Sequence, residues 1–405
     1  MPYGALAQER LAQIAECSKD HIGVTRFPFT DEHRRANAQI TNWMERAGLT
    51  VRMDSSATLI GRLEGPMGAK TLLLGSHQDS VRNGGRYDGI MGIALACLAL
   101  EKLKDCEIEL PFSVEVLAFA DEEGARFPTA LMGPRALAGT FDPETLAMQD
   151  RDGVSLSKAL KSFGGAPDTI ADQRRQPDDI IGYIETHIEQ GPVLETHDLA
   201  LGVVSGICGI ERNEVIFRGE TGHAGTVPMK GRKDALVAAA RFIAEVSDRA
   251  NTAETLRATV GALSIAPDVV NAIPNAATLT LEIRSEADKA RLDFADQMRA
   301  IGNEIARASG TEFTMRCTYE QLAVQCAPPL IDALNIALEA LGHPSFTLPS
   351  GATHDASAMA DLCPIAMLFV RCTKGLSHHP DEFASAADMS AAINALAAAL
   401  TQIRA

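Results

Sequence analysis

The sequence predicts an α/β protein interrupted by a smaller α+β unit, and three observations predict it. Short, mostly apolar runs at 72–74 (LLL), 112–120 (FSVEVLAFA) and 364–372 (PIAMLFVRC) each lead into charged or glycine-rich residues. Such runs read as buried strands, and open α/β sheets place their chemistry where these strands end. From Gly209 the pattern changes to strand, helix, strand, strand, helix, strand, the split βαβ order of a ferredoxin-like sandwich. A chain of 405 residues also exceeds the usual size of one hydrophobic core. The expected organisation is one mixed-sheet domain from residues 1–208 and 324–405, with an inserted unit at 209–323.

Taken in order, residues 1–50 read as helical, with Asp31 as N-cap of a helix reaching Ala47 and Gly48 as its stop. Val51–Gly65 alternates like a hairpin, with turns near Ser55 and at Gly65-Pro66. After the strand at Leu72, Gly89–Leu103 is apolar almost all round and reads as a buried helix. Residues 141–180 are polar and uneven, which suits a short helix and surface loops. Ile181–Leu194 carries His187 and ends at Gly191-Pro192. In the inserted unit, ALVAAARFIAEVSDRA and ARLDFADQMRAIGNEIARAS are amphipathic helices. TVGALSIA, ATLTLEIRS and TEFTMRCTYEQ are strands. The remainder returns to α/β character, closing on the helix ADMSAAINALAAALTQI.

A net charge of −16 argues against nucleic acid or an anionic membrane as partner. No apolar stretch is long enough to span a bilayer, and the N-terminus lacks the basic and apolar regions of a signal peptide. The eight cysteines form no C-x-x-C pair and read as reduced thiols of a cytoplasmic protein.

Polar residues that recur at strand ends carry the chemistry. The stretch GSHQDSVRNGGRYDGIMG places His77, Asp79 and Asp88 after the first strand. A loop histidine and turn-forming aspartates would explain that stretch alone equally well. Asp121, Glu122 and Glu123 then follow the second strand, where three carboxylates repel and call for a cation or a shared proton. His378 and His379 follow a third strand, and His187 adds a fourth group. Imidazole and carboxylate without thiolate suit zinc, manganese, cobalt or nickel.

Seven segments in order, GSHQDSVRNGGRYDGIMG, DEEGARF, ETHIEQGPVLE, GHAGTVPMKGRKDA, NAIP with EIRS, SGATHDAS and GLSHHPDEF, resemble the hydantoinase/carbamoylase-type amidases. That family includes N-carbamoyl-L-amino acid hydrolases, allantoate amidohydrolases and β-ureidopropionases. The resemblance implies a di-metal, exopeptidase-like catalytic domain with an inserted dimerisation and lid domain. It implies two divalent metal ions, zinc or else manganese, cobalt or nickel. His77, Asp88 and His187 would hold one, and a bridging Asp88 with Glu123 and His378 the other. The residues themselves do not separate His378 from His379. Glu122 would be the general base and Asp79 would orient a ligand. Gln190, His223, Asn271, Arg284, Gly351 and Thr353 would bind substrate. Arg284 would grip a carboxylate through its planar fork, and His223 would hold the ureido oxygen as charge develops. His354 and Asp355, in the same loop, would be substrate contacts or helix caps. The implied reaction is hydrolysis of the terminal ureido or carbamoyl C–N bond of a small acid by a homodimer. An aminopeptidase or dipeptidase of the wider superfamily would share the metal ligands. Ser56-Ala57-Thr58 and Pro134 depart from the family pattern and are expected near the pocket rim, where they would bear on substrate identity.

Overall fold

The structure, a computed structural model, describes residues 2–404; Met1 and Ala405, the ends of the two flanking stretches, lie outside them. The chain divides into two compact units, Met1–Ser205 with Gln325–Ala405, and Gly206–Val324. The strands in chain order are β1 (Thr50–Met53), β2 (Leu59–Leu63), β3 (Thr71–His77), β4 (Ser113–Phe119), β5 (Ile180–Ile188), β6 (Leu201–Ile207), β7 (Gly209–Arg218), β8 (Leu256–Thr259), β9 (Leu263–Ala266), β10 (Ala276–Ser285), β11 (Glu312–Gln321), β12 (Val324–Gln325), β13 (Thr347–Ser350) and β14 (Ile365–Val370).

A nine-stranded mixed sheet organises the first unit, in the order β1-β2-β4-β3-β5-β14-β6-β12 with β13 beside β6. The four middle strands β4, β3, β5 and β14 run parallel, while β2 and β6 flank them antiparallel. Every residue of β3 and β4 is buried, so neither shows an in-out alternation. A parallel strand covered on both faces has this signature. Leu72, Leu73 and Leu74 are each worth about 1.5–3 kcal/mol on burial. Charge inside the sheet is compensated: Glu115 of β4 accepts from Arg62 at 3.1 Å and Arg175 at 2.8 Å.

The helix Ile90–Asp105 is buried along most of its length and shares the core with β3, β5 and the terminal helix Ala386–Gln402. The helix Asp31–Arg46 begins one residue earlier than expected. Its N-cap is Thr30, whose hydroxyl accepts from His33 N, while Asp31 and Glu32 occupy the first turn. Both solutions satisfy the helix N-terminus, and the extended backbone of Thr30 selects the first.

The second unit is an antiparallel sheet ordered β11-β7-β10-β8, with β9 also on β10, and two helices, Ala235–Ala250 and Asp288–Ser309. Alternate residues Val215, Phe217, Leu279, Leu281 and Ile283 pack with Phe242, Phe294 and Met298. TVGALSIA does not form one strand. Between Thr259 (opposite Glu282) and Leu263 (opposite Leu279), Val260, Gly261 and Ala262 face only Thr280 and Leu281. This one-residue excess is a β-bulge, which ends β8 and starts β9; Ala262 N donates to Thr280 Oγ1 at 3.1 Å.

Candidate metal centre

Because β4, β3, β5 and β14 are parallel neighbours, their carboxyl ends share one edge of the sheet. His77 is the last residue of β3, and His187 lies one residue before the end of β5. Glu122 and Glu123 come three and four residues after the end of β4, and His378 follows β14. Asp88 is supplied by the loop between β3 and the helix at Ile90. His77, Asp88 and His187 form one group of converging ligand atoms, and Asp88, Glu123 and His378 form another. Asp88 belongs to both, and one oxygen faces each. Asp88 Oδ1 is 3.1 Å from His187 Nε2 and 3.7 Å from His77 Nε2. Asp88 Oδ2 is 3.2 Å from His378 Nε2, which lies 3.5 Å from Glu123 Oε1.

The orientation of the rings is set behind the centre. His77 Nδ1 faces the Asp79 carbonyl at 3.0 Å, and His187 Nδ1 faces the Ile188 carbonyl at 3.0 Å. Each Nδ1 therefore donates, which turns each Nε2 lone pair inward; the two Nε2 atoms stand 3.5 Å apart. His354 packs edge-on against His187 at 4.5 Å between centroids and is itself held by Ser350 Oγ at 2.8 Å. Asp79 accepts from Glu122 N at 3.1 Å and Glu123 N at 3.2 Å, so it fixes the backbone that carries both glutamates. Gly89 makes room for the first ring. It has φ +65°, and a Cβ there would stand 2.4 Å from the His77 imidazole.

Burial pushes the Glu123 carboxyl up to about 8, with the Asp88 charge adding to it. Glu122 is held well above the usual carboxylate range by burial and then by Glu123. Burial lowers His77 to about 4. Burial would also lower His187, but the Asp88 carboxylate overrides it and raises that ring to about 9.

The donor set fits a pair of divalent cations. Tetrahedral ligands at about 2.0–2.1 Å from a zinc-like ion stand about 3.4 Å from one another. The five inter-ligand distances here run from 3.1 to 3.7 Å. Glu123 Oε1 is buried with no hydrogen-bond partner, as expected of an oxygen reserved for a cation.

Not every residue singled out in the sequence joins this cluster. His379 is exposed, and its Nδ1 accepts from Asp381 N at 3.1 Å. Asp355 opens the short helix Asp355–Met359 as a buried residue, and its carboxyl oxygens have no hydrogen-bond partner. Gln190 directs Nε2 at Ser377 Oγ (2.9 Å) and at both Asp88 oxygens (3.3 and 3.4 Å). Gly351 is exposed and Thr353 half-buried on the loop after β13. His223, Asn271 and Arg284 belong to the second unit, where Ala224 N donates to Asn271 O at 2.9 Å. Ser56, Ala57, Thr58 and Pro134 are not on a rim but buried. Asp54 Oδ1 gathers Ser56 N, Ser56 Oγ and Thr58 N into a closed turn, a local hydrogen-bonding pattern that draws the segment inward. One residue that sequence reasoning quoted without a role, Glu382, lies directly behind Asp88; nothing in its local context distinguishes it from a surface acid.

Imidazoles and carboxylates gathered on a shared aspartate at the carboxyl edge of parallel strands define a metal-dependent hydrolase. The chain belongs to Peptidase family M20/M25/M40, whose model matches residues 73–402. It is 38% identical over 390 residues to an N-carbamoyl-L-amino acid amidohydrolase of Geobacillus stearothermophilus, covering 96% of this chain and 95% of that one. It is 34% identical to an allantoate amidohydrolase of Bacillus subtilis, covering 92% and 91%. A hydantoinase/carbamoylase-family amidase from Burkholderia multivorans superposes with a TM-score of 0.92 at 32% identity, over 98% of this chain and 97% of that one.

Proposed function

We propose that the protein is an amidohydrolase that cleaves the terminal ureido or carbamoyl C–N bond of a small carboxylate, an N-carbamoyl-L-amino acid or allantoate. The observation that carries this reading is the convergence on Asp88 of two imidazoles from one side and His378 with Glu123 from the other. It occurs in a chain alike over nearly its whole length to amidohydrolases of that specificity. His77, Asp88 and His187 would hold one divalent ion, and Asp88, Glu123 and His378 a second. Bound there, the ions would polarise the ureido carbonyl and acidify the attacking water.

Glu122 takes a proton from that water and delivers it to the departing nitrogen. Its burial beside Glu123 makes it a stronger base than an exposed carboxylate. Attack at the ureido carbon expels ammonia and leaves a carbamate, which loses carbon dioxide to give the free amine. Gln190, Gly351 and Thr353 would contact the substrate. All eight cysteines are free thiols, which suits a reducing, cytoplasmic setting.

The second unit supports a homodimer. From Arg218 opposite Ala276 the ladder of β7 and β10 reaches Ile210 opposite Arg284, one pair before its last. His223 bridges to Ala272 beyond the first end, with Asn271 beside it, whereas Arg284 sits at the other. Eight residues of strand separate these ends, roughly 26 Å. One small ureido acid cannot span that length, so Arg284 of one copy would act with the partner subunit's His223 and Asn271. Arg284→Ala and His223→Ala chains should each be inactive. Mixed, they should recover about a quarter of wild-type activity, because half the dimers are mixed and each has one intact site. No recovery in demonstrably mixed dimers would exclude this arrangement.

Ammonia release from a panel of N-carbamoyl-L-amino acids, allantoate and dipeptides tests the reaction itself. Turnover is expected on ureido acids. Cleavage of dipeptides with inert ureido acids would overturn the reading in favour of a peptidase.

A further inference from the structure

We propose that Glu382 is the positioning residue that holds Asp88 in place between the two ligand groups, an inference that rests on the metal-dependent reading above. Glu382 is only 3% exposed, yet it lies on the irregular segment between β14 and the terminal helix. Its Oε1 accepts two backbone N–H groups, from Tyr87 at 2.9 Å and from Asp88 itself at 3.0 Å. Its Oε2 accepts from Ser377 Oγ at 3.3 Å. The same hydroxyl lies 3.2 Å from Asp88 Oδ2, and Gln190 Nε2 donates to Ser377 Oγ. One carboxylate therefore pins the Asp88 backbone and reaches the Asp88 side chain through Ser377.

The loop bearing Asp88 has been shaped to admit this group. A Cβ on Gly85 would stand 2.1 Å from the Glu382 carboxyl carbon, a distance no real contact allows. The second glycine of NGGRYDG is thus the doorway for a side chain that comes from nearly 300 residues further on. No strand pairing joins these two loops; Ser377 and His378 reach the Asp88 side chain, and Glu382 ties the segment carrying His378 to the Asp88 backbone. Asp88 has to aim its two oxygens at different partner groups, and a small rotation of its backbone would misdirect one of them. Groups that orient metal ligands in this way typically matter by about 10–100-fold in metal affinity. Charge-assisted acceptance from two N–H groups is the strong form of such a contact.

Metal-free full-length protein titrated with Mn²⁺, followed calorimetrically and by metal content per chain, tests this. Glu382→Ala should bind Mn²⁺ about 10–100-fold more weakly than wild type at a temperature where both metal-free proteins are folded. Glu382→Gln keeps an oxygen for the two N–H groups and should restore most of that affinity. Wild-type affinity in Glu382→Ala would overturn the proposal. So would a glutamine variant as weak as the alanine one when the metal-free proteins melt alike, since hydrogen-bond acceptance would then not be the cause. Should Glu382→Ala fail to fold, Gly85→Ala displaces the carboxylate without deleting it. Weakened binding is again expected, and unchanged binding again overturns the role. A wild-type chain that takes up no divalent ion would instead remove the metal-dependent reading itself, a result distinct from equal binding by wild type and variant.

Discussion

Glu122→Gln is expected to lower kcat by about 10³-fold or more while the protein keeps its divalent-ion content. Glutamine preserves the shape and one oxygen of the side chain but cannot accept a proton near neutral pH. General-base removal typically costs about 10²–10⁴-fold, and neither Glu123 nor Asp79 is placed to take over. Glu123 is engaged with His378, and Asp79 is turned to the backbone of Glu122 and Glu123. KM should change little, because the lost interaction belongs to the transition state. Stability should be unchanged or slightly higher, since the substitution removes a buried carboxylate whose neighbours Glu123, Asp355, Asp79 and Asp88 are all acidic. Ammonia release measured beside metal content and thermal melting checks all three. A variant with more than a tenth of wild-type turnover would refute the assignment of Glu122 as base.

Exhaustive chelation is the second experiment with a large expected effect. Activity should fall to background and return on adding back zinc, manganese, cobalt or nickel, the ion restoring most identifying the preferred one. The melting temperature should fall in step. Without cations the edge of the sheet gathers the carboxyl groups of Asp79, Asp88, Glu122 and Glu123, offset by the imidazoles of His187 and His378 beside Asp88. A ligand present at a thousand times its dissociation constant stabilises the folded state by about 4 kcal/mol. That is enough to move the transition of the first unit by several degrees. Protein shown by mass spectrometry to be free of metal, yet fully active, would end the two-ion reading.

The legible parts of this protein were those that depend on local chemistry. LLL at 72–74 and LAF at 117–119 read as buried strands because no solvent-facing residue interrupts them, and β3 and β4 include these residues. The inserted unit was legible as a sequence of elements for the same reason, since its helices and strands each keep a clear period. The bulge at 260–262 was not, because the extra residue is defined by what stands opposite it on β10. Ser56-Ala57-Thr58 was expected near a pocket rim, and its burial follows from Asp54 satisfying its donors internally. Glu382 was invisible as anything but an acid in a loop, since its partners Tyr87 and Asp88 are remote in the chain.

By itself, then, the order of residues determined which side chains stand at the ends of apolar strands and that they are imidazoles and carboxylates, never thiolates. Those properties are local: a run of leucines must be buried, and a strand that ends must turn. Only the tertiary structure decided that β4, β3, β5 and β14 lie side by side in parallel, so that their ends share one edge. It alone turned His77 and His187 so that Nε2 points inward, aimed His378 Nε2 at Asp88 and Glu123 while His379 Nδ1 accepts from Asp381 N, and set Glu382 behind Asp88. Strand order arises from backbone pairing between segments remote in the chain, and no local pattern encodes a distance of 3.1 to 3.7 Å between groups those strands carry.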